Sequence, residues 1–288
     1  MQNPTLQNIY GRAHQNLDGR WHYIVDPYET GYYDYRRKPY DASEKGTGGF
    51  YDDRQAKDKG DIVEYSFDGS PTLAIPGDWN SQDAKLEFYE GTVWLRQQFN
   101  AAPKEGKRYF LYFGAVNYEA HVYLNGRKLG SHKGGFTPFS FDVTELLRDG
   151  NNQITVGVDS ARTDDDVPPP VTDWETYGGI TRSVTLITVP ETFVDDAWIR
   201  LGRDGRIHAD IRLYGHQAQN RDLAVRIPAL GLTLSGRTDQ SGSWSGSITA
   251  PRGLKRWSPE TPALYDVQIE SGTDVLHDRI GFRTIETR

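Results

Sequence analysis

Polar and apolar positions alternate most cleanly over residues 117–142, NYEAHVYLNGRKLGSHKGGFTPFSFD. There Ala120, Val122 and Leu124 share one face, and His121, Tyr123 and Asn125 share the other. A period of two predicts a strand with one face on a core and the other nearer water. Asn125-Gly126 supplies the two left-handed positions of a tight type I′ turn, which predicts a solvent-exposed hairpin end. Gly130, Gly134, Gly135 and Pro138 then punctuate a run carrying Phe136, Phe139 and Phe141, and 143–147 suits one short helical turn. The stretch holds no nucleophile, metal cluster or phosphate loop. It predicts scaffold rather than chemistry.

The same rhythm extends along the chain. Residues 17–25 predict a turn feeding a strand, 89–99 and 107–113 predict strands, and Ile154, Val156 and Val158 alternate again. Residues 1–16 predict a polar arm. Between 26 and 61 the period is lost: Tyr28, Tyr32, Tyr33, Tyr35, Tyr40 and Tyr51 sit among charges and glycines. A structureless loop of that length is unusual inside a domain. It reads as an insertion wrapped on the surface and pinned by tyrosines, with a partly disordered loop as the alternative. Pro168, Pro169 and Pro170 exclude helix and central strand, so 162–170 is a loop that delivers Thr172, Asp173, Trp174, Glu175, Thr176 and Tyr177 to Gly178-Gly179.

Beyond Pro190 aromatic density falls and regular strands follow at short spacing. Ile207, Ala209, Ile211 and Leu213 alternate with polar residues, as do Leu223, Val225 and Ile227, and Tyr265, Val267 and Ile269. About seven such strands in a segment of this length is an immunoglobulin-like pattern. No useful helical periodicity, repeat or low-complexity tract occurs. The predicted fold class is all-β, a jelly-roll β-sandwich over 1–190 followed by an immunoglobulin-like β-sandwich over 191–288.

Composition narrows the function classes. A net charge of −7 gives no electrostatic reason to seek nucleic acid or an anionic membrane. The absence of cysteine excludes disulfides, thiolate metal sites and cysteine catalysis. No apolar run is long enough to span a bilayer as a helix. The opening residues lack the basic-then-apolar layout of a secretory signal, and both bacterial cytoplasm and periplasm stay open.

The acids, histidines and glycines carry the candidate chemistry. Asp164-Asp165-Asp166 lacks the alternate spacing and the following Gly and Glu of a calcium loop, and reads as a solvated loop end. No two of His14, His22, His121, His132, His208, His216 and His277 stand at metal-ligand spacing, so no metal or cofactor is expected. Gly242-Ser243-Trp244-Ser245-Gly246 has Trp where a nucleophile elbow needs Ser, and reads as a strand with turn residues. No catalytic constellation is present. One place resembles a site: Asp173, Trp174, Glu175 and Tyr177 follow the rigid prolines beside glycines that allow close approach. Carboxylates accept hydrogen bonds from vicinal sugar hydroxyls and flat aromatics cover a pyranose's apolar face. The other reading of these residues is a loop that reattaches to the sheet, with Trp174 plugging the core edge.

Five segments together, 17–21 (LDGRW), 75–80 (IPGDWN), 89–99, 120–142 and 173–182, resemble the N-terminal, non-catalytic part of family 2 glycoside hydrolases, the β-galactosidase and β-glucuronidase group. Residues 257–265 (WSPETPALY) resemble the closing motif of that group's immunoglobulin-like domain. In such enzymes a third, (β/α)8 barrel of about 250 residues carries both catalytic glutamates. This chain stops at Arg288 without an alternating strand–helix pattern, so the resemblance implies no catalytic residue here and a barrel expected in a parent chain. The chain would be an excised fragment or a stand-alone relative. Asp173 matches an aspartate that reaches the barrel's pocket and contacts glycone hydroxyls, and Asp78 matches a position where some β-galactosidases place a substrate-contacting asparagine.

The resemblance therefore implies a non-catalytic portion of a retaining exo-β-glycosidase, inactive alone, that helps shape a glycone pocket for a terminal β-glycoside. The phrase Val25-Asp26-Pro27-Tyr28 and the tyrosine-rich insertion resemble a bacterial β-glucuronidase branch. Two rivals come from other classes: a stand-alone carbohydrate-binding module using the 173–175 loop, and a structural adaptor mediating homo-oligomer contacts.

Overall fold

A computed structural model of the chain describes residues 5–42, 48–52, 66–170 and 177–284. Twelve strands come first: β1 His14–Asn16, β2 Gly19–Asp26, β3 Thr72–Ile75, β4 Gly77–Asp78, β5 Thr92–Ala101, β6 Lys107–Phe113, β7 Glu119–Leu124, β8 Arg127–Lys133, β9 Phe139–Asp142, β10 Gly150–Asp159, β11 Gly179–Ile180 and β12 Val184–Pro190. Seven more follow: β13 Phe193–Leu201, β14 Arg206–Tyr214, β15 Asp222–Ile227, β16 Leu232–Arg237, β17 Ser243–Thr249, β18 Tyr265–Ser271 and β19 Asp274–Ile280. Among the described residues the helical pieces are short 3₁₀ turns at Tyr40–Ala42 and Pro228–Leu230. The all-β prediction holds.

The described residues form two compact units, one from 14–105 and 109–186, the other from 6–13, 106–108 and 187–284. In the first, a six-stranded sheet ordered β3-β2-β5-β10-β7-β8 faces a four-stranded sheet ordered β1-β12-β6-β9. Alternation explains the core between them. Val93 and Leu95 of β5, Val156 and Val158 of β10, and Ala120, Val122 and Leu124 of β7 point inward, where they meet Leu111, Phe113 and Phe139. Burying each larger aliphatic side chain contributes about 1.5–3 kcal/mol.

The opposite face of the six-stranded sheet is not left to water, which corrects the one-sided reading. Tyr123 is 1% exposed, and Phe50, Tyr51, Phe67, Trp94 and Tyr123 form a second small core with Ile24, Tyr32 and Tyr40 against it. Tyr51 stacks on Tyr123 at 4.1 Å, and the Tyr123 hydroxyl donates to Asp41 at 2.7 Å. The Trp94 ring lies across Gly157 of the neighbouring strand, where an added Cβ would sit 3.1 Å from it. Asp26, buried beneath this cap, accepts hydrogen bonds from the Thr30 and Gly31 amides and from Trp94 Nε1. The described part of the tyrosine-rich segment thus covers a second hydrophobic layer. Tyr28 and Tyr35 stay exposed, while Tyr51, Tyr40 and Tyr32 do the pinning.

Two further expectations are corrected. Asn125 and Gly126 adopt φ of 52° and 78° as the turn requires, yet Asn125 is buried. Its amide donates to Leu146 O and Asn152 Oδ1 and accepts from the Gln153 amide, tying the hairpin end inward. The N-terminal arm is not simply polar: Leu6 is buried, and Arg12 pairs with Asp274 at 3.3 Å, both side chains almost wholly shielded. Arg12 also donates to Val194 O.

In the second unit, sheets ordered β13-β14-β17 and β16-β15-β18-β19 enclose the predicted alternating residues, with Ile207, Ala209, Ile211, Val225, Val267 and Ile269 in the core. The GSWSG run lies on β17, where Gly236 and Gly246 leave space for the Trp244 indole.

Candidate functional site

One end of the six-stranded sheet gathers the relevant loops. Backbone register places Asp26, Thr92, Asp159, Glu119 and Lys133 in a single row across β2, β5, β10, β7 and β8. The connections 79–91, 114–118, 134–138 and 160–178 all leave from this end. Of the sequence-predicted site residues, Asp173, Trp174 and Glu175 lie outside the described residues. Asp78 and Tyr177 are described, together with both flanks of the 171–176 segment.

Asp78 ends β4, which pairs Gly77 and Asp78 with Ile180 and Gly179 of β11. The fold therefore brings Asp78 against the strand on which the predicted loop returns. Its carboxylate accepts from the Ser81 amide at 2.7 Å and from the Ser81 hydroxyl at 2.9 Å, fixing the turn. Gln82 braces the same turn by donating to Ala74 O and Asp78 O. Trp79 is fully buried, and its amide donates to Gly178 O at 3.0 Å. Asn80 Oδ1 accepts from the Gly178 amide at 2.9 Å.

This packing requires both glycines. A Cβ at Gly178 would collide with the Trp79 ring, and one at Gly179, where φ is +146°, would lie 2.6 Å from Gly77 O.

The leading flank is built around Arg162 and Asp166. Arg162 donates to Pro168 O at 3.0 Å and to Asn117 Oδ1 at 2.6 Å, and its guanidinium lies 4.4 Å over the Tyr118 ring. Asp164 and Asp165 are exposed, as a solvated loop end requires, but Asp166 is buried. It pairs with Lys133 at 2.7 Å and accepts from the Thr163 amide and hydroxyl. The Lys133 hydrogen bond, then that of the Thr163 amide, pushes its carboxyl down to about 2.

Asn117, 7% exposed, joins the two flanks. Its Oδ1 accepts from Arg162 on the leading side, and its Nδ2 donates to Tyr177 O on the trailing side. Its backbone exchanges both hydrogen bonds with Gly179, at 2.8 and 2.9 Å. Gly135 makes room, since a Cβ there would fall against Asn117 Oδ1. Sequence reasoning missed Asn117 and Arg162 because nothing in their neighbours' spacing marks them. The one available signal was a polar residue directly before a clean strand pattern.

Beside the base of this loop an open cavity of about 410 Å³ is lined by Asp26, Tyr28, Glu29, Arg37, Thr92 and Asp159 among others, and is bounded by Ala161. Burial raises the Asp159 carboxyl above its usual range, Glu29 and Glu119 add repulsion, and the hydrogen bond from the Ala161 amide opposes it. Arg37 pairs with Glu29 at 2.6 Å across the rim. Among the described residues no cluster of His, Asp and Glu could hold a metal ion. The described lining thus combines carboxylates, a guanidinium and an exposed tyrosine.

Comparison with known proteins identifies the family. Residues 14–190 match the sugar-binding domain of glycosyl hydrolases family 2, and residues 192–283 match a second domain of glycosyl hydrolases family 2. A putative beta-glucuronidase of Formosa agariphila is 29% identical over 231 residues, covering 75% of this chain and 28% of that protein. A beta-galactosidase of Thermoanaerobacter pseudethanolicus is 31% identical over 222 residues, covering 71% of this chain and 30% of its own length. The solved Bifidobacterium dentium beta-glucuronidase complexed with coumarin-3-O-glucuronide superposes with a TM-score of 0.76 at 25% identity, covering all of this chain and 51% of that one. The chain thus spans about a third or less of these two relatives and about half of the solved enzyme.

Proposed function

This chain belongs to family 2 of the glycoside hydrolases, and from that premise we propose that it is the non-catalytic N-terminal portion of a retaining exo-β-glycosidase acting on a terminal β-glucuronide or β-galactoside. In this reading 1–190 is the sugar-binding domain and 191–288 the immunoglobulin-like domain. The carboxylates that break the glycosidic bond belong to a barrel in a longer polypeptide. The 171–176 loop presents Asp173, with Trp174 and Glu175, to the glycone, and Asp78 sets the turn beside it. The observation that carries the reading is the clamp: both flanks of that loop are held to Asn117, and the trailing flank is bridged to β4 at Asp78.

Such a loop supplies orientation and hydroxyl discrimination. A carboxylate held by a fixed neck accepts hydrogen bonds from hydroxyls in one geometry only, which favours the epimer that presents them. Hydrolysis itself needs a carboxyl pair about 5–5.5 Å apart for retention, and no role in that pair is assigned to residues of this chain.

The test uses the 288-residue chain with aryl β-glucuronides and aryl β-galactosides. No turnover is expected, and calorimetry with the same glycosides should stay silent, because half a pocket binds weakly. Measurable hydrolysis overturns the non-catalytic reading. Sub-millimolar binding that is lost in Asp173→Ala would instead favour a self-sufficient carbohydrate-binding module.

A further inference from the structure

The outer face of the β13-β14-β17 sheet in the second unit presents a regular grid. Its register sets Asp196, Arg212 and Ser243 in one row, Trp198, Asp210 and Ser245 in the next, and Arg200, His208 and Ser247 in a third. Trp198 is 61% exposed although the Arg200 guanidinium lies over its ring at 3.9 Å. An indole shielded on one side and still that exposed must present its other side to solvent.

The surrounding polar groups are already fixed. Arg200 pairs with Asp210, Arg212 with Asp195 at 2.7 Å, and His208 with Asp204 at 3.0 Å. Hydrogen bonds from Ser245 and Arg200 hold the Asp210 carboxyl below its usual range. On the same face Tyr214 is also exposed, beyond the Asp196–Arg212–Ser243 row and under the Arg108 guanidinium, while Trp198 is the exposed indole within the grid. The neighbours of Trp198 in the grid are charged or hydroxylic, unlike the contiguous apolar patch of several hundred Å² that marks a large protein interface. An aromatic plane rimmed by hydroxyls and a carboxylate instead complements a pyranose, which has an apolar face and a polar edge. Arg200, Arg212 and His208 each face a carboxylate, and Arg206 donates to Ser247 and Thr249, which disfavours an anionic ligand. Adjacent strands lie about 4.8 Å apart, so Ser245 stands roughly 10 Å from Trp198, a reach that spans more than one sugar ring.

We propose that this face is a second carbohydrate site, in which the open side of Trp198 stacks on a pyranose of an uncharged oligosaccharide while Asp210, Ser245 and Ser247 hydrogen-bond its hydroxyls. It would hold a chain of sugars rather than the terminal residue that the 171–176 loop addresses.

The test titrates the 288-residue chain with cellotetraose, xylotetraose and laminaritetraose, followed by saturation-transfer NMR. At least one should bind. Trp198→Ala should weaken it about tenfold or more, Trp198→Tyr should retain most of the affinity, and Ser245→Ala should weaken it less. Asp173→Ala should leave it unchanged, which separates this site from the loop. Absence of binding by all three sugars at millimolar concentration overturns the proposal, as does equal binding by Trp198→Ala. So does self-association in sedimentation that Trp198→Ala abolishes, because the face would then be an interface between copies.

Discussion

Replacing Asn117 by Ala tests whether the neck of the 171–176 segment is structural. The substitution removes the acceptor of the 2.6 Å bond from Arg162 and the donor to Tyr177 O. A hydrogen bond involving a charged group contributes about 1.5–3 kcal/mol and a neutral one about 0.5–1.5 kcal/mol, so about 2–4 kcal/mol is at stake. The backbone pair with Gly179 survives, which confines the damage to the flanks. Asn117→Asp separates the halves, since it keeps an acceptor for Arg162 and loses the donor to Tyr177. Urea unfolding gives the magnitude, and amide exchange at Gly178 and Gly179 reports the trailing flank. The expected order of loss is Ala greater than Asp. An Ala variant within about 0.5 kcal/mol of the parent, with unchanged exchange at both glycines, would show that Asn117 does not hold the loop.

Three further outcomes are expected. Gly178→Ala drives a methyl into the buried Trp79 ring, and should cost about 1–3 kcal/mol in urea unfolding and quench or shift indole fluorescence; an unchanged midpoint would refute the packing. Arg12→Ala leaves Asp274 charged and buried against the Val194 amide, and should cost about 3–5 kcal/mol, with Arg12→Met plus Asp274→Asn recovering much of it. Asp166 titrates at about 2 in the fold against about 3.9 unfolded, so its contribution is complete above about pH 4 and is lost as pH falls toward 2. Urea midpoints at falling pH should therefore drop less steeply in Asp166→Asn over that window, and identical slopes would exclude it.

The alternating strands were legible because burial between two sheets writes a period of two directly into the sequence, as Ala120, Val122 and Leu124 show. What covered the other face was not legible. Tyr51 and Phe50 pack on Trp94 and Tyr123 through contacts that no local spacing encodes, so the segment carrying them has no period. Asn125 looked like an exposed turn residue because turn chemistry fixes φ and says nothing about where the amide points. Asp166 was hidden at the end of a run behind two identical acids, and the position of Lys133 on β8 distinguishes it. The carboxylates at 173 and 175 stood out by composition and neighbours. The residues framing them did not, since Asn117 and Arg162 acquire a role only when distant segments converge.

The clamp at Asn117 also has a practical meaning for redesign. Arg162, Asn117, Asn80 and the β4–β11 bridge hold both described flanks of 171–176, which makes that segment the place to exchange sequence in an engineering test. If the flanks alone carry the frame, length-matched inserts from other members of the family should leave the unfolding free energy within about 0.5 kcal/mol of the parent.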